Sequence, residues 1–193
     1  MSSNTSATGG YLVPTNTALD NHALQDYIHD VLVGVTAISN SLVRPAYQAN
    51  PPPIPDLDVN WCAFSIRNRR PAAQPWTTQG DDDADLSTNE LFDVVVTFYG
   101  PDCMGYAATL RDGLQIPQNS DQLTAVDMAV LGSEDIVYIP ELINDRWFER
   151  ADITINMNRN LSRTYDILPL LGATGTMYFN DVATEDFNAG ETE

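Results

Sequence analysis

The residues that could carry chemistry are few and fall in four places. His22 and His29 lie seven apart with Asp26 between them. On a helix that spacing puts all three near one face, where they could hold a metal or supply a base; a solvated helix face accounts for them more simply. Asp81-Asp82-Asp83-Ala84-Asp85 offers hard oxygen ligands for Ca²⁺ or Mg²⁺. It lacks the central glycine and distal glutamate of an EF-hand loop, and an exposed acidic loop reads the same way. Arg67-Asn68-Arg69-Arg70 is the one basic cluster, suited to bidentate pairing with carboxylates. Arg146-Trp147-Phe148-Glu149-Arg150 sets an aromatic pair among guanidinium groups, the composition of an interface anchor or of a packing cluster.

Nothing completes a catalytic signature. No glycine-rich phosphate loop, G-x-S-x-G elbow, H-E-x-x-H helix or Cys-x-x-Cys pair is present. Cys62 and Cys103 stand far apart and read as reduced, buried thiols. No catalysis and no cofactor are therefore expected.

The elements that must position these residues follow from periodicity. Leu24, Ile28, Leu32 and Val35 predict a helix from Ala18, capped by Thr17 and ending between Val33 and Asn40. Asn50–Pro55, with three consecutive prolines, predicts a stiff extended connector. Strict alternation predicts strands over 61–67 (Cys62, Phe64 and Ile66 inward), 92–99 (Phe92, Val94, Val96 and Phe98) and 152–157 (Ile153, Ile155 and Met157). A shorter strand is expected at 136–139. Helices are expected over 102–114, with Ala107, Leu110 and Leu114 on one stripe, and over 120–131, capped by Ser120 and carrying Leu123, Val126 and Val130. The order predicts an α+β fold: a small, mainly antiparallel sheet with helices packed on one face. Residues 1–17, uncharged and polar, are expected to be a flexible N-terminal arm. Residues 18–179 are expected to form a single domain. Residues 180–193, with five acids and no base, are expected to be an acidic tail, exposed or bound to a partner.

Charge narrows the partners. The 193 residues carry 27 acids against nine basic residues, all arginine, for a net charge of −18. Phosphate binding depends on cationic contacts that release counterions, so tight nucleic-acid binding is not expected, nor is attachment to anionic membranes. A salt-rich cytoplasm or a biased genome would give the same composition. The first residues lack the basic and apolar regions of a secretory signal, and no apolar run approaches the ~20 residues that span a bilayer.

Several phrases, in order, resemble the phage neck or tail terminator family: Leu42-Val43-Arg44-Pro45, Pro51-Pro52-Pro53, Asn60-Trp61-Cys62-Ala63-Phe64, Phe98-Tyr99-Gly100-Pro101 and Leu110-Arg111-Asp112-Gly113-Leu114, then Gln118-Asn119, Pro140-Glu141-Leu142, Arg146-Trp147, Arg150-Ala151-Asp152 and Arg163-Thr164-Tyr165-Asp166-Ile167-Leu168-Pro169-Leu170. The resemblance covers about residues 20–170. It departs at Ala46, where the family's pattern carries a second basic residue. It implies a structural virion protein, made in the host cytoplasm, that forms a ring, usually of six subunits. Such a ring ends the tail tube and joins it to the head-side connector, with DNA passing through. The implied partners are other copies of the chain, the tail tube protein, the neck or connector protein and, where the tail has one, its sheath. In that setting Arg44, Arg67, Arg69, Arg70, Arg146, Trp147 and Arg150 are expected at subunit interfaces, and Asp81, Asp82, Asp83 and Asp85 at the lumen or rim. The rival readings are a Ca²⁺- or Mg²⁺-dependent binding module built on Asp81–Asp85, and a hydrolase using His22 or His29.

Overall fold

The computed structural model describes residues 8–16, 21–167, 172–179 and 182–190. The expected Thr17 cap lies outside them, as do residues 1–7 of the expected arm and 180, 181 and 191–193 of the expected tail.

Helix α1 (Asn21–Thr36) turns Leu24, Ile28 and Leu32 into the core at four-residue steps. It stops within the expected window. Thr36 Oγ donates back to the Leu32 carbonyl at 2.6 Å and accepts from Ile38 N–H at 3.3 Å, while Ala37 takes φ +58°. A turn over Asn40–Leu42 leads into β1 (Val43–Pro45), which runs parallel to β2 (Trp61–Pro71) through Val43↔Cys62 and Pro45↔Phe64. The proline-rich connector between them carries neither helix nor strand.

The next strands are β3 (Trp76–Gln79) and β4 (Ala84–Tyr99). Helices α2 (Cys103–Gly113) and α3 (Pro117–Thr124) follow. Then come β5 (Met128–Ser133), β6 (Val137–Tyr138), the small hairpin of β7 (Glu141–Ile143) and β8 (Arg146–Phe148), and β9 (Arg150–Tyr165). The main sheet has the order β1-β2-β4-β9-β5, with β3 joined to β4 and β6 to β9. Strand β2 pairs with β4 antiparallel, and both β5 and β6 pair antiparallel with β9. Side chains bond across β4 and β9 at Ser87–Ser162, Glu90–Arg159 and Asp93–Asn156. Numbers that rise on one strand fall on the other, so these two also run antiparallel. The fold is α+β with a mixed, mainly antiparallel, open sheet.

The expected inward faces are the observed ones. Cys62 and Phe64, the Phe92–Phe98 alternation and Ile153, Ile155 and Met157 are buried against Leu24, Ile28 and Leu32 of α1 and Cys103, Ala107 and Leu110 of α2. Burial removes water from the Cys62 thiol and pushes its pKa up to about 12, against a weaker opposing hydrogen bond.

One expected helix is not found as such. Residues 120–131 do not form a single helix: α3 begins at Pro117 and ends at Thr124, and Val130 lies on β5. Proline suits the first helical position, where its missing N–H would have had no partner. Ser120 is thus inside the helix and donates to the Pro117 carbonyl at 3.0 Å. Asp127 at φ +57° then turns the chain, and its carbonyl accepts from Asn160 N–H on β9 at 2.9 Å, starting the β5 ladder.

The described residues group into two compact units. The first holds residues 21–76 and 87–162, which include α1–α3, the core and most of the sheet. The second holds residues 8–16, Thr77–Leu86 and the described chain from Arg163 on. In it β10 (Gly172–Phe179) and β11 (Val182–Gly190) form an antiparallel hairpin from Gly172↔Gly190 to Phe179↔Val182. The acidic stretch 182–190, which carries no apolar alternation, is therefore a paired strand.

Gly100, between β4 and α2, sits at φ +108°, and a Cβ there would lie 2.7 Å from the Val59 carbonyl oxygen and 2.9 Å from Asn60 Cα. Both obstacles are backbone. Gly100→Ala should cost about 2–3 kcal/mol and lower Tm by roughly 5–10 °C in a thermal melt; an unchanged Tm would mean that this turn re-forms without strain.

Candidate functional site

The face of the sheet away from the helices carries a row of cations and aromatics. Trp61 and Tyr99 fall on the off-core phase of their strands and oppose each other in the β2–β4 register, so their rings stack at 4.3 Å with 10° between planes. The Arg44 guanidinium lies 5.6 Å from the Trp61 ring centre, and that of Arg150 lies 6.0 Å from the Tyr99 ring centre. Two of the arginines expected at interfaces thus belong to one row: Arg44, Trp61, Tyr99, Arg150. Both ends are tied. Arg44 donates to the carbonyls of Ser41 (3.1 Å) and Pro53 (2.9 Å), which pins the proline connector. Arg150 grips Asp152 with two bonds of 2.9 and 2.7 Å and reaches Glu141 Oε2 at 2.8 Å. The Tyr99 hydroxyl donates to the same Glu141 oxygen at 3.2 Å. Burial, followed by the neighbouring Glu141 carboxylate, pushes the Tyr99 phenol up to about 12. Bidentate carboxylate pairing of this kind fixes geometry. Its consequence here is mechanical: Arg150 and Tyr99 hold the β7 end of the small hairpin.

That hairpin presents Trp147. Its two-residue loop, Asn144 at φ +50° and Asp145 at φ +60°, has the paired positive φ of a type I′ turn. Cross-strand pairs are Glu141↔Phe148, Leu142↔Trp147 and Ile143↔Arg146. Phe148 turns inward and is buried; Trp147, 67% exposed, and Leu142, 54% exposed, turn outward together. Arg146 is also exposed and, among the described residues, makes no side-chain hydrogen bond or ion pair. Val137, Tyr138 and Ile139, just before the hairpin, are each about half exposed.

Arg67, Arg69 and Arg70 lie at the far end of β2, where a bulge with Asn68 at φ +53° interrupts pairing with β4. They differ in partners. Arg69 clasps Glu90 with bonds of 3.1 and 3.2 Å. Arg67 donates to Ser65 Oγ (2.9 Å) and Tyr47 Oη (2.8 Å), and Arg70 reaches the Asn68 carbonyl at 3.4 Å. Glu90 also accepts from the buried Arg159 at 2.7 Å. Burial alone would raise the Glu90 pKa, but the hydrogen bonds and charges of Arg69 and Arg159 outweigh it and hold the carboxyl below the usual range.

The aspartate run belongs to the second unit and forms the turn between β3 and β4. Gly80 N–H and Gln79 Nε2 both donate to the Asp83 carbonyl, at 2.8 and 2.9 Å. Asp81, Asp82 and Asp83 are exposed, whereas Asp85 turns to Thr164 and accepts from its hydroxyl at 2.6 Å. Among the described residues no three His, Cys, Asp or Glu side chains are grouped to hold a metal. His29 is engaged with Asp30 (3.1 Å) and the Asn40 carbonyl (3.2 Å), not with His22 and Asp26.

Trp61, Tyr99, Glu141, Glu90 and Arg159 were not among the candidate site residues read from the sequence. The signal for Trp61 and Tyr99 was present, since both are large aromatics on the polar phase of an alternating strand. Arg159 continues the inward phase of Ile153, Ile155 and Met157.

Among the described residues no helix is long and apolar enough to cross a membrane. No curated protein matches the chain. Residues 22–181, which take in the core, the aromatic row and the hairpin, match the phage neck terminator proteins. The chain therefore belongs to the phage neck terminator family, structural proteins of the virion neck.

Proposed function

We propose that this neck protein works without catalysis, as a ring of six copies that closes the end of the tail tube and joins it to the head-side connector. DNA passes through its lumen. The observation that carries this reading is the family match over 22–181 together with a braced hairpin that offers Trp147 and Leu142 to solvent. A large aromatic held rigidly in the open is a contact anchor, since little side-chain freedom is lost when it is covered. Trp147, Arg146, Arg67 and Arg70 meet neighbouring subunits, while Arg44, Arg69 and Arg150 brace the elements that carry them. Residues 18–179 act in assembly together with β11, whose pairing with β10 takes 182–190 out of a free tail; residues 1–17 are an arm that binds neighbouring subunits, the tube, the connector or a sheath.

Negative-stain microscopy with mass measurement in solution tests the reading. Six-fold rings, alone or on tube ends, are expected; a monomer that also fails to bind tube ends would overturn it. The acidic loop supplies a second check. A channel lined with like charge lets the duplex pass without holding it. Changing Asp81, Asp82, Asp83 and Asp85 to Lys should make assembled particles retain DNA in low-salt co-sedimentation. No gain in retention would place that loop outside the lumen.

A further inference from the structure

The sheet of the first unit ends in two edges of opposite character. On one side β1 covers only residues 62–64 of β2. Beyond Phe64 no strand borders that side of β2 among the described residues. The Phe64 carbonyl accepts from Ala46 N–H at 2.7 Å, so the Phe64 backbone groups face the β1 side; two residues on, those of Ile66 face the same way, with no backbone partner on that side among the described residues. The part of this edge beyond Phe64, residues 65–71, holds three arginines and no acid. Glu90 matches Arg69, whereas Arg67 and Arg70 bond neutral oxygens.

On the other side β5 ends the strand order and β6 continues the border along β9. Residues 134–152 there hold six acids against two arginines. Arg150 takes up Asp152 and Glu141, which leaves Glu134, Asp135, Asp145 and Glu149 facing a single Arg146. Leu131, Val137, Tyr138 and Ile139 stand exposed along the same border.

We infer that the basic β2 edge of one copy docks on the acidic, apolar β5–β6 edge of the next, an inference that rests on the ring reading above. The two edges lie at opposite ends of one strand order, so the contact is head-to-tail, and repeated head-to-tail contacts close into rings when the rotation allows. Pairing either edge with its own kind would set like charges side by side, which disfavours a two-fold dimer. Main-chain groups such as those of Ile66 supply strand addition, and the charges set the register.

Two charge-reversed chains test this: Arg67→Glu with Arg70→Glu, and Glu134→Arg with Asp135→Arg. These positions are exposed, and an unchanged Tm confirms the fold. By sedimentation at low salt, each variant alone should self-associate at least about tenfold more weakly than the wild type. Mixing the two in equal amounts should restore assembly, because each keeps one native edge and meets its partner's reversed edge with its own. A variant that assembles as the wild type does, or a mixture that fails to recover, overturns the edge contact. A wild type that stays monomeric overturns it too. Incorporation of the wild type into virions, scored in parallel, separates these outcomes from a failure of the neck reading itself.

Discussion

Glu90→Leu should be among the most damaging single substitutions in the first unit, with a loss of about 3–5 kcal/mol in urea unfolding. The Glu90 carboxylate accepts 2.7 Å from Arg159, a guanidinium only 2% exposed that lies 6.0 Å from the Phe92 ring centre at the end of the apolar core. Removing the acid keeps the buried cation and takes away the Glu90 carboxylate bonded to it, and the lost ion pair outweighs any gain in apolar contact. The double variant Glu90→Leu, Arg159→Met should recover most of the loss, because an apolar pair of similar volume replaces a buried ion pair at little net cost. A double variant as unstable as the single one would show that Arg159 serves through other contacts. The pH dependence has a definite sign. The Glu90 carboxyl is held below the usual glutamate range when folded, so its stabilisation is complete above roughly pH 5. It is lost as pH falls through the depressed folded value, where the native state also takes up the proton. Acid unfolding of the double variant should lack this component.

Trp147→Ala should have the largest effect on assembly, weakening self-association by more than about 30-fold, the level of a contact hot spot, while leaving Tm unchanged. The side chain is 67% exposed and its hairpin is held at the other end by Glu141, Arg150 and Tyr99, so the isolated chain gives up little on truncation. The adjacent Phe148→Ala should do the reverse. Phe148 is 6% exposed, and its loss should cost about 3 kcal/mol of stability. Sedimentation and thermal melts on both variants separate the two roles. Normal assembly of Trp147→Ala would remove that residue from the interface.

What was legible in the sequence is what one covered face makes visible. Phe92, Val94, Val96 and Phe98 alternate with the less buried Asp93, Val95 and Thr97 because the helices cover one side of β4 only, and the same alternation runs through Ile153–Met157. The first half of β4 was not legible: from Asp85 to Leu91 all residues are half-buried and mostly polar, so no period appears. Strand β3 is wholly exposed, and its one apolar residue, Trp76, cannot by itself show a period. Leu123, Val126 and Val130 fall at three- and four-residue steps, yet they belong to a short helix, a turn and a strand. Composition located the arginines expected at interfaces. It could not tell a brace from a free anchor, since the Glu90 carboxylate that takes Arg69 stands 21 positions away and the Asp152 that takes Arg150 only two. The first pairing is set by strand register, which local patterns do not encode; the second, two positions along one face of β9, was open to a local reading.

The two buried cysteines have a consequence for the lifetime of the particle. A virion outside its host has no reductase to repair oxidised sulfur, so its proteins must resist oxygen by construction. Oxidation and disulfide exchange proceed through the thiolate. With the Cys62 thiol pushed up to about 12, its thiolate fraction at neutral pH is on the order of 1 in 100,000. Cys103 is 1% exposed and is likewise raised by burial. Each is walled off by packing as well as by protonation. Cross-linking and sulfur oxidation at these two positions should therefore be slow in aerated water, and the sheet that buries the apolar core also shields its sulfur.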